Sequence, residues 1–145
     1  MTNNLKLSVV GIGYVGLPLA ISLANFFKVT AYDLNKNRIL GLKKNYDITN
    51  EFSSLEIKKA KFIDFTSDEN DLCKSDVFFI TVPTPINKKK KPDLSNLIQA
   101  TKLVAKNLKK NSIVVYESTV FPGCTEEICL PIIEKISQLK LNKDF

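Results

Sequence analysis

The sequence predicts an α/β fold: a doubly wound parallel sheet with helices on both faces, three layers in the order αβα. Three observations carry this. Short apolar runs alternate with stretches of helical length along the chain. The runs are apolar at consecutive positions, as strands covered on both faces must be. The first run ends in three glycines spaced G-x-G-x-x-G, at Gly11, Gly13 and Gly16, where such a sheet turns from strand to helix.

The elements follow in order. Residues 5–10 (LKLSVV) read as a buried strand, being short, apolar and partly β-branched. Residues 14–27 (YVGLPLAISLANFF) are apolar on most faces and predict a buried helix, with Pro18 in the first turn, where a missing N–H is tolerated. Residues 28–33 (KVTAYD) form a second strand, and Asn35 caps a helix running to about Lys44. A short helix at 54–60 and a strand at 61–65 (KFIDF) come next, then a capped turn or short helix in TSDENDLCKS. Residues 76–82 (DVFFITV) read as a buried strand. PTPINKKKKPD is a loop, by its three prolines and its lysine run. Residues 94–109 are amphipathic, with Leu94, Leu97, Ile98, Thr101, Val104, Ala105 and Leu108 on one face. Residues 112–117 (SIVVYE) are the last strand. Thr125 is then expected to cap a helix, with Glu126 and Glu127 in its first turn and Pro131 placed to kink it.

Size and composition narrow the function. A chain of 145 residues has the length of one domain. At 44% hydrophobic and 25% charged it belongs with globular proteins rather than disordered or disulfide-dense ones. No apolar run is long enough to span a bilayer, and the N-terminus lacks the pattern of a signal peptide, so a cytoplasmic location is expected, without membrane contact. The net charge of +6 comes almost wholly from lysine, Arg38 being the sole arginine. Scattered lysines without clustered arginine and aromatic residues argue against a nucleic-acid partner and suit an anionic small molecule. Cys73, Cys124 and Cys129 form no C-x-x-C pair and there is no histidine, which excludes a disulfide framework and a metal site.

The glycine fingerprint gains meaning from its setting. Gly11 permits a tight turn, Gly13 clears the side chain that would block a pyrophosphate, and Gly16 lets the helix pack against the strand. The free N–H groups of the helix start then face the phosphates. Asp33 ends the next strand about 20 residues on, where an acid takes the ribose hydroxyls and repels a 2′-phosphate. The combination predicts a Rossmann-type dinucleotide site for NAD. Lys36 and Arg38 leave NADP open, because a nearby cation could accept its phosphate.

VVGIGYVGLPLA, AYDLNKNRI, ITVPTP, PDLSNL and VVYESTVFPGCTEE together resemble the NAD-binding domain of the UDP-glucose/GDP-mannose dehydrogenases, over nearly the whole chain. ESTVFPGCTEE is most similar to the branch acting on UDP-N-acetylhexosamines, in particular the UDP-N-acetylglucosamine 6-dehydrogenases of Vi-antigen-type polysaccharide synthesis. The resemblance implies oxidation of the C6 alcohol of a UDP-sugar to the uronic acid with two NAD⁺, through a thiohemiacetal and a thioester on a cysteine. It implies that Gly11, Gly13 and Gly16 cradle the pyrophosphate, with N–H groups from Tyr14 and Val15. Asp33 would hold the adenosine ribose with Arg38 beside it. Val82, Pro83 and Thr84 would line the cofactor, with Ser118 and Thr119 near the nicotinamide. Thr119 is the candidate catalytic residue, positioning water and substrate.

The family's G-G-H-C cysteine motif has no match here, nor do its later lysine, asparagine and glutamates. The expectation is therefore one NAD-binding domain over residues 1–145, from a truncated gene or cut from a longer chain, inactive alone. It would meet a UDP-sugar only together with a second half, and the full-length family is expected to be homodimeric. An alternative is a non-catalytic NAD-binding or oligomerisation module; another is a piece of a UDP-glucose 6-dehydrogenase. Among the cysteines, Cys124 at a helix N-terminus is the candidate for a lowered thiol pKa, and Cys73 and Cys129 are expected to be buried or half-buried. Glu117 is a candidate buried acid, and Lys88–Lys91 a solvated loop face.

Overall fold

Five parallel strands make one sheet in the order β3-β2-β1-β4-β5: β1 (Lys6–Val10), β2 (Lys28–Tyr32), β3 (Ile63–Thr66), β4 (Val77–Ile80) and β5 (Ile113–Tyr116). The computed structural model describes residues 4–86 and 90–145. Among the described residues five α-helices accompany the strands: α1 (Gly16–Leu23), α2 (Lys36–Lys43), α3 (Ser54–Lys59), α4 (Ser95–Asn107) and α5 (Leu130–Ser137). The capped turn of the sequence reading is a 3-10 helix at Glu69–Lys74, capped by the Asp68 side chain. The order reverses at β1, whose neighbours are β2 and β4, and there the C-terminal ends lie level: Val10 pairs with Tyr32 on one side and Ile80 on the other. A sheet that winds both ways from a central strand leaves a crevice at this point.

The doubly apolar strands explain the layers. Leu7 and Val9 of β1, Val29 and Ala31 of β2, and Val77 of β4 face one side, packed with Leu17 and Ala20 of α1, Ile39 and Leu42 of α2 and Ile57 of α3. Val10, Tyr32, Phe78 and Ile80 face the other side, packed with Leu97, Ala100, Leu103 and Val104 of α4 and with Cys124 and Cys129. Ser8 is the polar exception inside β1. Its hydroxyl is fully buried and bonds the Ser75 hydroxyl just before β4, as a buried polar group must.

Two expectations are corrected. The first helix is shorter than 14–27, because the Asn25 side chain donates to the carbonyls of Ile21 and Ser22 and satisfies the last turn. Phe26 beyond it is exposed. Nor does Thr125 act as a cap. The first helical bond there runs from the Glu127 N–H to the Gly123 carbonyl (2.8 Å), and Gly123 takes the turn with φ +88°. Thr125–Cys129 form a widened π turn in which the Leu130 N–H reaches back to the Thr125 carbonyl. Pro131 follows directly. It has no N–H to give, and its ring would strike a normally placed carbonyl four residues back, so the widening is its consequence.

Candidate functional site

The loop after β1 is anchored to both neighbouring strands. The Gly11 N–H donates to the Tyr32 carbonyl (2.9 Å), and the Thr81 hydroxyl after β4 donates to the Gly11 carbonyl (2.7 Å). Gly11 has φ +99°, and a Cβ there would lie 2.9 Å from Val82. A Cβ on Gly16 would stand 1.9 Å from the Gly11 carbonyl oxygen, so the start of α1 approaches the loop more closely than any side chain permits. A Cβ on Gly13 would meet nothing within 4 Å. Two glycines thus serve the protein's own packing, and the third serves open space in front of the loop.

Charges fix the loop from behind. Asp33 accepts the Ile12 N–H (2.8 Å) and the Asn35 N–H (2.8 Å). Arg38 donates through Nε to the Ile12 carbonyl (2.7 Å) and through Nη1 to Asp47 (2.7 Å). The Arg38 and Asp47 side chains are 8% and 0% exposed, which makes this a buried ion pair. Asp47 also accepts the Thr49 N–H and hydroxyl and the N–H groups of Glu51 and Phe52. Burial alone would raise its carboxyl; the hydrogen bonds from Thr49, Arg38 and the backbone outweigh this and hold it well below the usual carboxylate range. Arg38 Nη2 is buried and has no partner among the described residues.

A cavity of about 590 Å³ opens over the loop, within the size of small-molecule sites. Of the residues singled out in the sequence, Gly11, Gly13, Tyr14, Asp33, Arg38, Val82 and Pro83 line it. Its far wall is α4, through Ala100 and Leu103. Tyr32 adds a phenol whose pKa is raised by burial and then by the charges of Glu69, Asp33 and Asp68, so it remains a neutral donor. Val15, Gly16, Thr84, Ser118 and Thr119 stand outside this cavity. Val15 is exposed beside it, and Gly16 underlies the loop. Ser118 is buried, with its hydroxyl on the Val82 carbonyl (2.7 Å). The Thr84 hydroxyl is held by the Thr119 carbonyl (2.5 Å), and Thr119 itself is exposed. Ser118 and Thr84 therefore join the loops after β4 and β5, which continue the crevice past the glycine loop.

Other expectations change. Cys124 is fully buried. Burial, then the neighbouring Cys129 and the charges of Glu126 and Glu127, push its thiol up, so the helix start does not make it a nucleophile. Cys73 is exposed, and so is Glu117. In the lysine run, Lys90 and Lys91 are exposed, and Lys88 and Lys89 lie outside the described residues. Sequence reasoning passed over Asp47 and Thr49. The available signal was Asp-x-Thr after a helix, a pattern that turns the backbone onto its own carboxylate, in a chain with only one arginine.

The fit to a dinucleotide can now be judged. The N–H groups of Gly13, Tyr14 and Val15 have no acceptor among the described residues, and they open α1, whose dipole favours anions. The profile of the UDP-glucose/GDP-mannose dehydrogenase family, NAD binding domain, matches residues 5–145. The chain belongs to this family. Its cofactor is NAD. It is 49% identical over 142 residues to UDP-N-acetyl-D-glucosamine 6-dehydrogenase of Pseudomonas aeruginosa, covering 98% of this chain and 34% of that protein. It is 45% identical to the enzyme of the same name from Salmonella typhi, covering 99% and 34%. The solved UDP-D-ManNAc dehydrogenase of Pyrococcus horikoshii superposes with a TM-score of 0.91 at 32% identity, covering 97% of this chain and 34% of that one. The chain thus spans about a third of the length of the curated relatives it matches. Among the described residues no helix is long and apolar enough to cross a membrane.

Two expectations follow from the geometry. Gly16→Ala should destabilise the chain by about 3 kcal/mol, whereas Gly13→Ala should leave it as stable or slightly more so yet remove the melting-temperature rise caused by NAD. Equal losses of stability in the two variants would contradict the division between them. Asp47→Asn should cost about 3 kcal/mol at neutral pH. Because the folded carboxyl titrates below its unfolded value, its contribution is complete above about pH 5 and declines as the pH falls below 4. Urea denaturation across this range should show the gap between the two proteins closing; a constant gap would mean that charge is not its source.

Proposed function

We propose that this chain is the cofactor-binding unit of a nucleotide-sugar 6-dehydrogenase that oxidises the C6 alcohol of a UDP-N-acetylhexosamine to the uronic acid with two NAD⁺. The observation that carries the reading is the row of unpaired N–H groups at Gly13, Tyr14 and Val15 in front of open space. The likeness to the Pseudomonas and Salmonella enzymes supports the sugar. Residues 1–145 act as one NAD-binding domain. We place it in the cytoplasm, where three unpaired cysteines suit the reducing conditions.

The residues divide the dinucleotide between them. Asp33 accepts the adenosine ribose hydroxyls with the lone pairs left beside its two backbone bonds. The glycine loop and the start of α1 take the pyrophosphate, and Arg38 holds that loop through the Ile12 carbonyl. Val82 and Pro83 wall the cleft. Thr84 and Ser118 hold the next loop, so that exposed Thr119 meets the nicotinamide side and orders water or substrate there. Bound NAD⁺ supplies the hydride acceptor for an alcohol. The nucleophile for the second oxidation is not among these residues: the thiol of Cys124 is buried and raised, and no G-G-H-C motif is present.

Calorimetry should find NAD⁺ binding to the chain, weakened about tenfold or more in Asp33→Ala, as the loss of hydrogen bonds to a charged group implies. Unchanged affinity would remove Asp33 from the ribose. NAD⁺ mixed with UDP-N-acetylglucosamine and this chain should give no rise at the NADH absorbance; steady NADH formation would refute the assignment of the nucleophile elsewhere.

A further inference from the structure

The cleft holds the recognition elements of two cofactors. An acid at the end of β2 selects NAD, and an arginine nearby is what accommodates the 2′-phosphate of NADP; here Asp33 and Arg38 are both present. Hydrogen bonds link them around Ile12. Asp33 takes the Ile12 N–H, Arg38 Nε takes the Ile12 carbonyl, the Arg38 N–H donates to the Asn35 side chain (3.1 Å), and the Asn35 N–H returns to Asp33. The guanidinium therefore sits one peptide from the ribose acid and still has an unused donor, Nη2. Nη2 is buried as Arg38 stands; released from Asp47 and turned toward the ribose, the guanidinium could receive a 2′-phosphate.

We propose that Asp47 is the residue that prevents this: by neutralising Arg38 and holding it on the glycine loop, it denies a 2′-phosphate its counter-charge and reserves the cleft for NAD. The inference rests on the dinucleotide reading above. Asp47 is fully buried against Arg38, where attraction is screened far less than at a surface. With Asp47 in place, Asp33, Arg38 and Asp47 sum to one negative charge facing a group of nearly two more. Without it, the sum is zero and Arg38 carries a free cation beside the ribose. The backbone donors of Thr49, Glu51 and Phe52 fix the Asp47 carboxylate, so this neutralisation does not depend on a mobile partner. Lys36 is exposed on the same turn and remains a solvated charge in either case.

Asp47 also builds the turn at 47–52, so the test must separate selectivity from general loosening. NAD⁺ and NADP⁺ affinities should be measured calorimetrically on the 145-residue chain, on Asp47→Asn and on Asp47→Asn combined with Arg38→Met. The expected result is a shift of the NADP⁺ to NAD⁺ affinity ratio toward NADP⁺ by about tenfold or more in Asp47→Asn, abolished in the double variant. Loss of both affinities in proportion, with the ratio unmoved, overturns the inference while leaving the dinucleotide site intact. Failure of the unaltered chain to bind NAD⁺ overturns the site reading and this inference with it. If Asp47→Asn does not fold, Asp33→Ser decides: with Arg38 still neutralised, it should bind NADP⁺ more weakly than the unaltered chain binds NAD⁺. Equal affinities would show that Asp33 alone sets the choice.

Discussion

Ile12 lies between two opposite charges. Its N–H points at the Asp33 carboxylate, its carbonyl at the Arg38 guanidinium, and its side chain is fully buried in the core under α1 and α2. One residue is thus fixed at both ends of its backbone and by its packing. Everything in front of it inherits that fixation. The N–H groups of Gly13, Tyr14 and Val15 face outward because the peptide before them cannot rotate. These dipoles are oriented in the folded chain itself, so the cost of ordering them falls on folding.

The sheet makes this arrangement possible. β1 ends level with β2 and β4, so the residues following all three converge at one edge. Asp33 follows β2, Thr81 follows β4, and both bond the loop that follows β1. The same convergence sets Val82 against Gly11 and makes the positive φ at Gly11 obligatory. Gly16 belongs to this packing logic as well. Gly13 does not: a Cβ there would meet nothing within 4 Å, so the packing of the fold does not require a glycine at that position.

Much of this was legible in the sequence because it depends on local pattern. Runs apolar at consecutive positions gave the parallel sheet and its order of elements, and G-x-G-x-x-G followed by Asp33 located the crevice. The misreadings have a common physical source. The end of the first helix is decided by one Asn25 amide, the start of the last by Gly123 and by Pro131, six residues after the expected cap, through a π turn that propensity does not encode. Cys124 looked activated because a helix start lowers a thiol pKa, but burial outweighs that effect and is not a local property. Asp47 has only a local signal, Asp-x-Thr after a helix; that it lies under a loop far back in the chain is again not a local property.

The buried Arg38–Asp47 pair calls for its own explanation, because burying two charges rarely stabilises a fold as much as an apolar pair of the same volume would. A hydrophobic pair there could fill the space but could not hold the Ile12 carbonyl. A lone arginine could hold it, but would leave an unpaired cation at the glycine loop. A lysine has the charge without the fork, and could not reach a carbonyl and a carboxylate in fixed directions at once. Only a guanidinium with a carboxylate behind it satisfies all three demands: a fixed loop, a neutral net charge at the pair, and one donor left over. The orphan Nη2 is then the part of the pair that the fold itself does not use.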